Sequence, residues 1–133
     1  MTTTTETVTL TLGVTSGYGH DNEGSSADEA GTLKAGIEAA IAAAGKVQEE
    51  TGIYPSFVGR PARCGYSHDW GCPQGGEFVL VLSGTRNPEF CQNSEDYLAA
   101  WQRLAELLQE EFDQTTATLE VVETKLAYLK RTR

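Results

Sequence analysis

"EFVLVLSG" (Glu77–Gly84) is the stretch on which the fold turns. It is apolar on both alternating parities, with Phe78, Leu80 and Leu82 on one and Val79 and Val81 on the other. A strand with one wet face alternates apolar and polar residues, so a strand apolar on both faces belongs in the middle of a sheet. Its continuation, "VLSGTRNPE" (81–89), leads into a helical pattern. The stripe of that helix is Leu98, Trp101, Leu104, Leu108 and Phe112, and Ser94 is expected to cap it.

The same plan stands earlier in the chain. "TLGVTSGYG" (11–19) ends a strand in which Val8, Leu10 and Leu12 alternate with Thr7, Thr9 and Thr11. A helix is predicted after it over 27–50, with Leu33, Ile37, Ile41, Ala44 and Val47 at helical spacing. Ser26 and Glu29 have the spacing of a capping box, Asp28 suits a first turn, and Gly52 is a natural stop. Each helix leads into a further strand. "IYPSFVGRPAR" (53–63) is broken by Pro55, Gly59 and Pro61, which assigns it to a sheet edge. "TATLEVVETKLAYL" (116–129) changes parity between Val121 and Val122, which predicts a β-bulge there in a strand of about twelve residues.

The order β-α-β-β-α-β, built from a duplicated βαβ unit, resembles the ferredoxin-like split architecture over nearly the whole chain. That fold class is α+β: a four-stranded antiparallel sheet with helices 27–50 and 94–113 on one face, in one domain over 1–133. Leu33, Ile37, Ile41, Leu98, Trp101, Leu104 and Leu108 should then be buried against Val8, Leu10 and Leu12. No family motif accompanies the architecture, and fold does not imply function. The apolar outer parity of the central strand and the long last strand predict a homo-oligomer, most simply a twofold dimer.

Charge excludes some partners. Nineteen acidic residues against ten basic ones give a net charge of −9, which repels nucleic-acid polymers. No run approaches about 18 apolar residues, so no membrane span is expected. "MTTTTETVTL" lacks a basic segment followed by an apolar one. Three cysteines, an odd number, do not suit a disulfide scaffold. Together these features point to the cytoplasm.

Chemistry concentrates in "RCGYSHDWGCPQGG" (63–76). In the expected topology it lies at the same end of the sheet as loop 15–26, whereas Arg86, Asn87 and Cys91 lie at the other end. Cys64, His68 and Cys72, with His20, are chemically suited to tetrahedral zinc, but their spacing matches no known finger or ribbon. Cys64 and Cys72 would pair only in an oxidising setting. Either cysteine beside His68 and Asp69 has the residue types of a thiolate–imidazole pair, without a local signature.

A pocket for a small anionic, nucleotide-like ligand accounts for more of the residues. Gly13, Gly17, Gly19 and Gly24 free backbone N–H groups before a helix N-terminus. Arg60 and Arg63 bring forked donors, and Tyr18, Tyr66 and Trp70 bring flat faces. His20 and His68 lie in the same loops, and Arg86 with Asn87 suggests a second polar site or a contact to a partner's loop. A turn alone needs about 2–5 residues, and this connection spends far more. Zinc would explain the cysteines but not Arg63, Tyr66 or Trp70. The sequence therefore reads as a non-enzymatic oligomeric module that binds or sequesters such a ligand without a cofactor. A small dimeric α+β enzyme using His20 or His68 for proton transfer is the first alternative. A purely structural assembly subunit is the second.

Overall fold

The computed structural model describes residues 1–15 and 29–132. In chain order the elements are β1 (Thr3–Gly13), α1 (Glu29–Thr51), β2 (Val58–Cys64), β3 (Glu77–Thr85), α2 (Ser94–Glu111) and β4 (Thr118–Leu126). A 3-10 turn, His68–Trp70, lies between β2 and β3. The architecture is α+β, with two helices and a four-stranded sheet in the order β2-β3-β1-β4, every pair antiparallel. β3 is central, as its two apolar parities require. The proline-bearing β2 is an edge, with Pro61 opposite Leu80.

One core joins the sheet to both helices. Leu10 pairs with Leu82 and Leu12 with Leu80, so these side chains share a face with Val8. Ala40, Ala44 and Val47 of α1 and Tyr97, Ala100, Trp101, Leu104 and Leu108 of α2 belong to the same cluster. Val79 and Val81 point to the other face, yet both are buried within the chain itself. Among the described residues no helix is long and apolar enough to cross a membrane.

Four local expectations need correction. First, α1 buries Gly36, Ala40, Ala44 and Val47, while Leu33 and Ile37 are half-buried and Ile41 is 51% exposed. Small side chains let α1 lie close against α2, and its larger residues fall to the flanks. There Ile37 closes over β2, where a Cβ on Gly59 would collide with Ile37 Cδ1. Leu98 is likewise a half-buried flank of α2. Second, Asn93 rather than Ser94 caps α2. Its Oδ1 accepts from the Asp96 N–H at 3.0 Å, and its φ of −101° and ψ of 115° are extended, as a cap requires.

Third, β4 contains no bulge. Its register with β1 runs unbroken from Thr3↔Leu126 to Thr11↔Thr118, with Val121 opposite Val8 and Val122 opposite Thr7. On this edge strand both valines stay exposed, so the change of parity marks no change of face. Fourth, β4 has nine residues rather than about twelve. The expected cap at Ser26 and Asp28 lies outside the described residues.

Candidate active site

At one end of the sheet β1 and β2 finish while β3 and β4 begin, so antiparallel pairing gathers four strand ends there. Glu77 opens β3 opposite Cys64, and Gly13 closes β1 opposite Val79. Gly75 and Gly76, at φ of 84° and 86°, turn the chain into β3 through a region that favours glycine. The Tyr66 hydroxyl, from the β2–β3 connection, donates to Glu77 Oε1 at 3.1 Å and fixes the carboxylate.

The other wall comes from the end of α2. Asp113 sits at φ 53°, a left-handed conformation costly for a residue with a side chain. That turn delivers Gln114, whose Nε2 donates to Thr15 O at 2.7 Å and to Phe112 O at 3.0 Å. A Cβ built on Gly13 would lie 2.5 Å from Glu77 Oε2 and 2.6 Å from Gln114 Oε1. The carboxylate and the amide therefore meet over a backbone position that only glycine leaves free.

These groups open on a cleft of about 470 Å³, lined also by Cys64, Trp70, Thr115 and Thr118. That volume suits a nucleoside-sized ligand. Glu77 and Asp113 line it, and no described lining residue is Lys or Arg. Its charge favours a cation, where the sequence had suggested an anion.

Of the sequence-derived candidates, Tyr66, Trp70 and Cys64 come together in this cleft. Arg63 turns to the opposite face of β2, where it pairs with Glu29 and donates from Nη1 to Gly76 O at 3.3 Å. Its guanidinium lies 5.9 Å from the centre of the Phe78 ring, so it clasps the hairpin to the start of α1. Arg60 is exposed on β2 opposite Val81, and His68 lies in the 3-10 turn; neither lines the cleft. Tyr18, Gly19 and His20 lie outside the described residues.

Burial, then the nearby Glu77 and Cys72, push the Cys64 thiol up. Such a shift favours the thiol over the nucleophilic thiolate. Cys72 Sγ accepts from the Tyr66 N–H at 3.5 Å and donates to Pro73 O at 3.4 Å, within the hairpin. Cys64, Cys72 and Cys91 are unpaired. Among the described residues no three His, Cys, Asp or Glu side chains gather where they could hold a metal ion.

Arg86 and Asn87 stand at the opposite end. Arg86 donates from Nε to Glu6 Oε2 at 2.6 Å and from Nη2 to Glu6 Oε1 at 3.0 Å. Its Nη1 donates to Cys91 O at 3.1 Å and Gln92 O at 3.4 Å, so its donors serve the fold. Asn87 borders a second hollow of about 540 Å³ with Tyr97 and Tyr128.

No local sequence pattern marks Glu77, Asp113 or Gln114 as site residues. The available signal was topological: Glu77 opens β3, and Asp113 and Gln114 lie in the α2–β4 connection, which antiparallel order brings to the end of β1. Gly13→Ala is expected to displace Glu77 and Gln114 and to lower turnover by about 10²-fold, the scale of a misplacement near 1 Å. Circular dichroism should show the fold retained, and turnover unchanged from wild type would contradict the geometry.

Comparisons with known proteins address the chemistry. A phage SAM lyase in its apo state is similar in fold, with a TM-score of 0.59 at 17% identity, covering 97% of this chain and 94% of that one. A phage SAM lyase in complex with S-methyl-5'-thioadenosine gives a TM-score of 0.57 at 15% identity, covering 93% and 90%. No curated protein matches. The SAM lyase family model matches residues 2–130. This overturns the expectation of a non-enzymatic module and, with it, nucleotide sequestration: the family is one of enzymes. Since the match spans nearly the whole sequence, the chain belongs to the SAM lyase family.

Proposed function

We propose that this protein cleaves S-adenosylmethionine in the cleft around Glu77, releasing S-methyl-5'-thioadenosine. The observation that carries the reading is the cleft's acidic lining, Glu77 and Asp113 with no Lys or Arg among its described residues, in a chain of this family. S-adenosylmethionine is a sulfonium bearing a methyl, a 5'-adenosyl and a four-carbon amino-acid arm. S-methyl-5'-thioadenosine remains when the bond from sulfur to that arm breaks and the electron pair stays on sulfur. A lyase adds no water, so the carbon left behind needs another partner. The substrate's own carboxylate supplies it: its oxygen bonds to that carbon and closes a five-membered lactone, with no proton transfer required.

This chemistry asks for orientation and a charge partner. Glu77, held by Tyr66, faces the cationic sulfonium and ammonium groups. One such pair at 4 Å is worth about 4 kcal/mol at an effective dielectric of 20. Gln114 and the hydroxyls of Thr115 and Thr118 orient the amino-acid arm. The test is incubation with S-adenosylmethionine carrying deuterium at Cβ, followed by mass spectrometry. Methylthioadenosine should appear with both deuterons retained in the four-carbon product. Loss of a deuteron would mean elimination rather than closure, and substrate returned intact would refute the activity.

The strand order β2-β3-β1-β4 and the shared helix core support the ferredoxin-like split as the architecture. Exposed Val58 on β2 and exposed Val121 and Val122 on β4 support self-association through the sheet's edges. Light scattering should give a mass above that of one chain at micromolar concentration. A reducing compartment such as the cytoplasm suits the three unpaired cysteines.

A further inference from the structure

We propose that Trp70 is the stacking platform for the purine ring and thereby fixes which way the substrate lies in the cleft. The inference rests on the proposed cleavage of S-adenosylmethionine and deepens it. Trp70 lines the cleft and is nevertheless 68% exposed. Tryptophan is on average a highly buried residue, and an exposed indole that lines a cavity offers a bound ring a flat face to cover. Its neighbour Tyr66 also lines the cleft, but that hydroxyl is committed to Glu77. The facing wall, from Asp113 to Thr118, carries threonines, an alanine, an acid and an amide, and no aromatic ring.

The backbone beneath Trp70 is built to hold it still. Ser67 Oγ accepts from the Asp69 N–H at 3.2 Å, and the Trp70 N–H donates to Ser67 O at 2.9 Å. Gly71, at φ 91°, closes the turn by donating to His68 O at 2.9 Å. Cys72 ties the chain beyond the turn back to Tyr66 through its sulfur. A ring presented on a tethered turn loses less freedom on binding than one on a loose loop. Stacking on it places the adenine at the hairpin side of the cleft. The sulfonium then falls towards Glu77 and the amino-acid arm towards Gln114 and the threonines. Trp70 selects for the purine, and Glu77 for the charge.

The chain has two tryptophans, and the other, Trp101, is fully buried. Fluorescence from a solvent-exposed indole therefore reports Trp70. Titrating methylthioadenosine into the full-length protein should quench that signal saturably, whereas methionine, which lacks the purine, should not. Trp70→Ala should raise KM and weaken methylthioadenosine binding by roughly 5- to 150-fold, the range for loss of one stacked base. kcat should change less, and Trp70→Phe should recover part of the loss. Unchanged KM and product affinity in Trp70→Ala would overturn the assignment. So would a wild-type signal that tracks protein concentration instead of ligand, because Trp70 would then meet a second copy of the chain. If no methylthioadenosine were formed from S-adenosylmethionine, the activity would fall while quenching by added methylthioadenosine still tested the platform, so the two failures are distinct.

Discussion

Glu77→Gln is expected to lower kcat/KM for S-adenosylmethionine cleavage by roughly 10²- to 10³-fold, the scale for removing one preorganised electrostatic group from an active site. Glutamine keeps the shape and leaves an oxygen to accept from Tyr66, so the change removes charge without opening a cavity. Thermal unfolding should shift little, because a half-exposed carboxylate at a strand end contributes little packing. Tyr66→Phe should give a smaller loss, since it frees the carboxylate that the hydroxyl holds at 3.1 Å but keeps the charge. Steady-state release of methylthioadenosine measures both. Equal rates for Glu77→Gln and wild type would remove Glu77 from the mechanism.

Arg86→Ala is expected to destabilise the fold by about 3–5 kcal/mol, the cost of leaving one member of a buried ion pair alone. The pair is well enclosed, with side chains only 10% and 15% exposed for Arg86 and Glu6. The same substitution strips donors from Cys91 O and Gln92 O, which anchor the segment entering α2. Chemical denaturation would measure the loss. A double variant, Glu6→Gln with Arg86→Met, should recover part of it, because no charge is then left unpaired. A stable Arg86→Ala with weakened ligand binding would instead place Arg86 in a binding site.

The pair also gives the fold an acid-side signature. Hydrogen bonding to Arg86, the largest influence, holds the Glu6 carboxyl below its ordinary value of 4.5. A carboxyl whose folded pKa is depressed binds its proton less readily in the folded chain than in the unfolded one. Its contribution is therefore complete above about pH 4.5 and fades as the pH falls through the depressed value. Arg86→Ala should flatten this part of the stability profile.

Much of the fold is legible from local pattern. The two parities of Glu77–Gly84 place β3 in the centre, prolines push β2 to an edge, and the stripe of Trp101, Leu104 and Leu108 finds the core face of α2. Where the pattern misleads, the cause is packing. Ile41 has helical spacing, but α1 buries Gly36, which faces Leu80 of β3, together with Ala40, Ala44 and Val47, and the isoleucine is left outside. Val121 and Val122 suggest a bulge only if apolar residues must share a face, and an exposed edge strand makes no such demand.

The candidate site divides along the same line. Tyr66, Trp70 and Cys64 stand in one conspicuous stretch, so their type and proximity were visible in the sequence. Arg63 stands beside them with the forked donors of a ligand site, but strand parity turns it to the opposite face, onto Glu29 and Gly76. The fate of Arg86 depended on Glu6, eighty positions away. Gly13, Glu77 and Gln114 are far apart along the chain, and no spacing relates them. Periodicity along the chain suffices for the elements, their order and the apolar faces that drive them together. Which charges neutralise each other inside the protein, and which face a ligand, is settled in three dimensions alone. Such pairing depends on distances across strands and between loops, which antiparallel register sets and local sequence does not encode.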